Sequence, residues 1–346
     1  MRYANVNIDA IGYELAPNVV TAEDIEARLA PLYAKLHLKP GQLEQLTGIQ
    51  ESRYWDPDFK LSRGAIRAGR KALDKAGFAP AHIGMLVYGA VCRENLEPAT
   101  ACVVADGLGI NSNAQVYDIS NACLGMLNGM VQVANAIALG QIRAGLVVSC
   151  ESCRQIVDST IQRMLAAGSM DVFKHCVATM TGGSGAAAIL LTDGSFGSAG
   201  HRLLGGVVRN AVQHHGLCTW GPDTGIPASA PHVMNTDSIG VLQNGVKLGR
   251  ETFHELQREM GWQGGQPDKV VCHQVGAAHQ SAILGAVGIP AEKDFSTFRY
   301  LGNIGTVSII VTAAIADERG FLQPGELVGF LGIGSGLNCL MLGAEW

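Results

Sequence analysis

The stretch QVYDISNACLGMLNGMVQVANAIA, residues 115–138, decides how this chain is read. Gln115 to Ile119 has the pattern of a strand, and Leu124 to Ala138 repeats Leu, Met, Val and Ala at helical spacing. The small-residue turn between them puts Cys123 at a helix N-terminus. Unpaired N–H groups and the positive end of the helix dipole favour a thiolate there, so the thiol pKa is expected to fall below its free value of about 8.5. The same N–H groups suit an oxyanion once sulfur has attacked a carbonyl. A packed core thiol is the competing reading, because free cysteine is among the most buried residue types.

The 346 residues are enough for two fused halves, since domains commonly run to about 100–200 residues each. Hydrophobic residues make up 47% and charged residues 16%, with 44 glycines, which is the composition of buried sheets with many tight turns and excludes a disordered chain. A net charge of −5 supplies no global basic field, so no nucleic-acid partner is expected. Nine irregularly spaced cysteines without a secretory leader fit reduced thiols and a cytoplasmic location. Cys150-Glu-Ser-Cys153 has the form of a C-x-x-C, yet no second pair accompanies it, so no metal site is assigned. No apolar run reaches the ~20 residues of a transmembrane segment, so lipid chemistry would take place inside the protein.

The two halves of the chain resemble each other weakly. A helical stretch from Ala65 to Ala76 leads to the apolar strand Ile83 to Val91 and a helix ending near Ile110; Gly249 to Met260 leads to Asp268 to Val275 and a helix ending near Ile289. Pairing Leu146 with Leu327 sets an offset of 181, which brings Cys123 almost onto Asn303. Pairing Val87 with Val271 gives 184 instead, while the glycines at 109 and 288 give 179. The difference locates an insertion between Val87 and Gly109, holding Cys92-Arg-Glu-Asn-Leu-Glu-Pro98. The division drawn from this is 1–181, with the cysteine and the inserted loop, and 182–346. Short apolar strands such as Leu146 to Val148 and Ala187 to Leu191 belong to sheets covered on both faces, so an α/β sandwich of five layers is expected, with its site where the halves meet.

Three more places supply polar groups. His273 follows the strand Val270-Val271-Cys272, and Asn303 follows Gly302. Each has a bland alternative, a structural histidine and a helix N-cap. Their duplication-related positions opposite a helix-terminal cysteine favour function. Gly329-Phe-Leu-Gly-Ile-Gly-Ser-Gly-Leu337 reads as a hairpin whose N–H groups, near Ser335 and Gly336, are candidates for an oxyanion hole. No helix follows it, which argues against a phosphate loop.

These residues carry a resemblance to the thiolase superfamily, in the branch of 3-oxoacyl-[acyl-carrier-protein] synthase III enzymes. It rests on A-C-x-G at Ala122 to Gly125, H-Q at His273-Gln274, G-N at Gly302-Asn303, the terminal run Gly332 to Asn338, and Thr47-Gly48-Ile49 with Arg53. The resemblance implies the thiolase fold, a duplicated αβαβα sandwich. Decarboxylating members have H-Q-A-N and G-N-T-S where this chain has His273-Gln-Val-Gly276 and Gly302-Asn-Ile-Gly305, and a tryptophan and an arginine clamping adenine where it has Gln42 and Leu46. The loop Cys92 to Pro98 is similar instead to that of the OleA type, which joins two fatty acyl thioesters without decarboxylation.

That resemblance implies an acyltransferase in which Cys123 forms an acyl thioester from a fatty acyl-CoA. Glu97 deprotonates the second acyl-CoA after entering the partner's site in a homodimer, its pKa raised by burial. His273 and Asn303 donate to the enolate, and backbone N–H groups of Cys123, Ser335 and Gly336 hold the oxyanion. No cofactor and no metal are expected, coenzyme A being part of the substrate; partners would be acyl-CoA and downstream enzymes of lipid synthesis. Glu94 is the local competitor of Glu97, and a solvated loop carboxylate its bland reading. The alternatives are a decarboxylating synthase using malonyl-carrier protein, acyl transfer to oxygen or nitrogen or thioester hydrolysis through the same acyl-Cys, and a catalytically silent subunit. The methionine-rich segment Ile161 to Thr181 is read either as a cap over an acyl tunnel or as ordinary packing.

Overall fold

The strand Ala144–Glu151 is buried along its whole length, as a run of Ala, Leu and Val covered on both faces must be. In the computed structural model, which describes residues 1–197, 200–222 and 232–346, it lies inside a nine-stranded sheet. The strands run in the order Lys269–Cys272, Leu327–Gly334, Asn338–Glu345, His201–Asn210, Asn7–Leu15, Gly185–Thr192, Ala144–Glu151, Met85–Gly89 and Gln115–Ile119.

The duplication is visible in the pairing. From the outer edge of the first half inward, two parallel pairings are followed by two antiparallel ones. The second half repeats this order, with Lys269–Cys272 parallel to Leu327–Gly334 and antiparallel pairings beyond, and a single parallel bridge between Val270 and Asp294 in the place of the edge strand. The halves meet where Asn7 and Ile8 pair with Arg202 and His201. Gly185–Thr192 is hydrogen-bonded between two strands of the first half. Gly185–Thr192, which follows the division drawn at 181 and 182, thus pairs on both sides with strands that precede it.

Five layers follow from which face of each strand is used. Val87, Val147 and Ile189 point inward to a cluster that contains the helices Gly125–Ala138 and Ser308–Glu318 together with Val271, Phe330 and Leu342 of the second half. Their neighbours Leu86, Leu146 and Leu190 point outward, under the helices Leu61–Ala76 and Thr100–Leu108. Leu331 and Met341 are covered likewise by Ser238–Met260 and Ala277–Val287. The two central helices are largely apolar because they lie between the two halves of the sheet, and each buried aliphatic side chain there contributes about 1.5–3 kcal/mol. A fourth cluster joins Ile161, Met164, Phe173 and Met180 to Ile25 and Leu32 of the helices at 22–36, so the methionine-rich segment packs into a core cluster of its own.

Candidate active site

Cys123 follows the parallel strand Gln115–Ile119 and His273 the parallel strand Lys269–Cys272, beyond the carboxyl ends where open α/β sheets place their sites. Cys123 stands between the end of Gln115–Ile119 and the first turn of Gly125–Ala138. Ala122, just before it, has φ of +45°, a left-handed conformation that costs a non-glycine residue on the order of 1–3 kcal/mol. Close packing imposes that turn. A Cβ on Gly89 would stand 2.5 Å from the Gly125 carbonyl oxygen, so only two glycines let the helix start against the end of strand Met85–Gly89.

Burial pushes the Cys123 thiol up to about 12, and the neighbouring Cys218 and the Glu151 carboxylate push in the same direction. This corrects the expectation of a lowered pKa. The helix begins two residues beyond the cysteine, and the Met126 N–H at its first turn already donates to Thr306 Oγ1 at 2.8 Å. Desolvation beside a carboxylate outweighs what remains of the dipole. The resting residue is a thiol, and its attack on a thioester requires proton transfer in the same step.

The Met126–Thr306 bond joins the two duplicated helix starts, with Asn303 the counterpart of Cys123. The Asn303 N–H donates to Thr181 O at 2.7 Å, and Asn303 Oδ1 accepts from the Gly305 N–H at 3.0 Å. A backbone N–H can pair only with the amide oxygen, so this bond fixes the orientation of the side chain and leaves Nδ2 as a free donor. The bond closes a turn ahead of Gly305–Val307, but Asn303 is not the N-cap of that helix, a position held by Ile304.

His273 follows strand Lys269–Cys272 and is tied by its N–H to Leu331 O at 3.0 Å. Burial and the adjacent His279 push its ring pKa down to about 4, so it is neutral at physiological pH. Its Nδ1 is enclosed without a partner. An enclosed N–H without an acceptor is the costlier arrangement, which assigns the single ring proton to Nε2. The folded-state value lies below the unfolded 6.5. The contribution of neutral His273 to stability is therefore intact above about pH 6.5 and is lost as pH falls towards about 4. The urea-unfolding free energy of the wild type relative to His273→Gln should fall between about pH 7.5 and about pH 5.5; a constant difference would mean that the ring titrates folded as it does unfolded, and a rise that the folded protein holds it charged. Asp294, pushed up to about 6 by burial, titrates in the opposite sense and is common to both proteins.

Gln274, the second residue of the H-Q pair, has a structural part of its own. It is buried, with Nε2 donating to Cys272 O at 2.6 Å and Oε1 accepting from the N–H groups of Thr297 and Phe298 at 2.8 and 3.1 Å. It thereby fastens the end of the His273 strand to the segment leading into Asn303. The C-terminal stretch is the expected hairpin, Leu327–Gly334 with Asn338–Glu345. It leans on the cysteine: a Cβ on Gly334 would lie 3.3 Å from Cys123 N, and Asn338 Nδ2 donates to Asn121 Oδ1 at 3.1 Å. Ser335 and Gly336 follow Gly334 directly, and Ser335 O accepts from Asn338 Nδ2 at 3.4 Å.

Glu97 is not brought to the Cys123 site of its own chain. It is exposed at the apex of the loop between Met85–Gly89 and Thr100–Leu108, beside Leu96, which is 74% exposed. Both stems are fixed. Val91 and Cys92 N–H groups donate to Glu151 at 3.0 and 3.1 Å, and Asp118 accepts from Thr100 and Ala101 at 3.0 and 2.8 Å. Glu94 is turned inward, accepting from the Ser62 N–H at 2.7 Å at the start of Leu61–Ala76. That leaves Glu97 as the free carboxylate of the loop, next to Gln115–Ile119 at the edge of the sheet.

Cys150 and Cys153 are buried free thiols, and all nine cysteines are unpaired. Among the described residues no group of three or more His, Cys, Asp or Glu side chains is arranged to hold a metal ion. No helix among them is long and apolar enough to cross a membrane. At the coenzyme A clamp positions, Leu46 is 51% exposed and Gln42 Oε1 accepts from Lys39 N at 3.3 Å. The residue overlooked within the C-x-x-C was Glu151, whose signal was a carboxylate ending an otherwise apolar strand.

The family model of 3-oxoacyl-[acyl-carrier-protein] synthase III matches residues 117–210, and the model of its C-terminal part matches residues 257–346. The chain belongs to this family of the thiolase superfamily, in its OleA-like branch. It is 50% identical over 349 residues to the acyl-CoA:acyl-CoA alkyltransferase of Shewanella oneidensis, and 34% identical over 347 residues to that of Xanthomonas campestris, covering 100% of this chain and of each relative. A crystal structure of a Xanthomonas campestris OleA variant with bound lauric acid and lauroyl-CoA superposes with a TM-score of 0.93 at 34% identity, over 99% of this chain and 100% of that one.

Proposed function

We propose that the protein is an acyltransferase that joins two fatty acyl-CoA thioesters by non-decarboxylative Claisen condensation through an acyl-Cys123 intermediate. The observation that carries this reading is an oriented Asn303 amide, at the duplication counterpart of Cys123, together with a neutral His273 after a strand end and an exposed carboxylate, Glu97, on a surface loop. Full-length similarity to acyl-CoA:acyl-CoA alkyltransferases and to a lauroyl-CoA-bound structure supports the substrate class.

The Cys123 sulfur attacks the first thioester carbonyl, its proton leaves with coenzyme A, and an acyl thioester remains on the enzyme. The alpha carbon of the second acyl-CoA gives a proton to Glu97 of a partner subunit, while His273 Nε2–H and Asn303 Nδ2–H bind the enolate oxygen. The new C–C bond expels the Cys123 sulfur, which recovers a proton, and the product is a 2-alkyl-3-ketoacyl thioester. One coenzyme A is released per condensation and no CO2. The chemistry needs no cofactor beyond the coenzyme A of the substrate. Exposure of Glu97 on its own subunit supports a homodimer in which each copy lends this residue to the other, and nine free thiols are in keeping with a cytoplasmic setting. The 2-alkyl-3-keto product calls for downstream enzymes of long-chain lipid synthesis.

Incubation of the purified protein with lauroyl-CoA alone is expected to give one acyl adduct by intact mass and the condensed product by mass spectrometry. A requirement for malonyl-carrier protein with release of CO2 would replace this reading by the decarboxylating one. Failure to acylate at all would leave a silent subunit.

A further inference from the structure

Glu151 is 4% exposed and ends strand Ala144–Glu151, where its backbone pairs with Gly185 and its carbonyl accepts from the Trp55 indole at 3.1 Å. An isolated carboxylate in such a place costs several kcal/mol unless hydrogen bonds compensate. Here backbone N–H groups compensate, and they come from two directions. On one side are Val91 and Cys92, the stem from which the Glu97 loop rises. On the other is the turn after Asn303: the Thr306 N–H faces the carboxylate, and a Cβ on Gly305 would stand 3.2 Å from Glu151 Cγ. Gly305 has φ of +62° and donates its own N–H to Asn303 Oδ1, so the carboxylate packs against the very turn that orients the asparagine amide.

We propose that Glu151 is a positioning residue of the condensing step, a buried clamp that holds the stem of the Glu97 loop and the Asn303 turn in one fixed relation. The inference rests on the reading of Glu97 as the base that serves the partner subunit. On that reading, the clamp ties the enolate donor of a subunit's own site to the base it lends to the other site. Burial raises the Glu151 pKa, and the N–H donors that hold the loops oppose that rise. Acylation of Cys123 uses neither loop and is predicted to be independent of the clamp, although the carboxylate lies close enough to Cys123 to raise the thiol pKa.

The test separates the two half-reactions. Glu151→Gln keeps the shape but turns an NH2 towards backbone N–H groups that need an acceptor. With lauroyl-CoA as probe, acylation measured by intact mass should stay within about 3-fold of wild type, while condensation turnover falls about 100-fold, the cost of a displacement of roughly 1 Å. Glu151→Asp, which keeps two acceptors on a shorter arm, should recover part of the condensation and covers the case in which the glutamine variant does not fold. Unchanged condensation would overturn the proposal, as would acylation and condensation falling by the same factor. Condensation retained by Glu97→Gln would instead remove the reading on which the clamp rests, whatever Glu151→Gln does.

Discussion

Replacing Cys123 by alanine should abolish both acyl-enzyme formation and product. Loss of an attacking nucleophile costs on the order of 10⁶-fold in turnover, because the oxyanion donors and the binding surface that remain have nothing to stabilise. The readout is the mass of the protein after exposure to lauroyl-CoA, with the adduct located by peptide mapping. Mapping is needed because Cys102 is exposed and available to non-catalytic acylation, whereas Cys150, Cys153, Cys176, Cys272 and Cys339 are buried. Cys123→Ser should be inactive as well. A residue whose thiol is already pushed up to about 12 has no strong standing base beside it, and a serine hydroxyl is harder still to deprotonate. Turnover persisting in Cys123→Ala, with the acyl group found on another residue, would displace Cys123 as the nucleophile.

Glu97→Gln should stop the reaction one step later. The acyl adduct on Cys123 should form at close to the wild-type rate and accumulate, while condensation falls about 10²–10⁴-fold, the usual contribution of a positioned general base. Glu94→Gln serves as the contrast. Its carboxylate caps the Ser62 N–H, so its loss should cost about 1 kcal/mol of stability and leave condensation to the folded fraction. Delivery across a subunit boundary has its own signature. Co-assembled Cys123→Ala and Glu97→Gln chains should regain on the order of a quarter of wild-type turnover, since random exchange makes about half the dimers mixed and each mixed dimer contains one complete site. No recovery in mixed dimers would put Glu97 in the site of its own chain, which its exposure at the loop apex does not favour.

Much of this was legible in the chain. Strand and helix periods gave the order of elements, and the repeat offset brought Cys123 opposite Asn303, a relation seen in the bond from Met126 to Thr306. The loop with Glu97 stood out as an insertion because the two halves otherwise keep step. What local patterns did not carry was which of two nearby carboxylates is used inward. Glu94 and Glu97 look alike in sequence, and only the helix start at Ser62, some thirty residues away, distinguishes them. Gln274 and Glu151 were overlooked for the same reason: their partners, at Thr297 and Phe298 and at Val91 and Cys92, lie far from them along the chain.

The α/β class, the duplication and the residue types available for acyl transfer follow from period and spacing along the chain, which are local properties. Which strands Gly185–Thr192 lies between depends on long-range pairing, and the protonation of the site depends on burial. The helix start at Gly125 argued for a low thiol pKa at Cys123; burial, with Glu151 and Cys218 nearby, raised it. Desolvation is a sum over everything packed around a group, and most of what surrounds this thiol comes from the other end of the chain or the far side of the sheet.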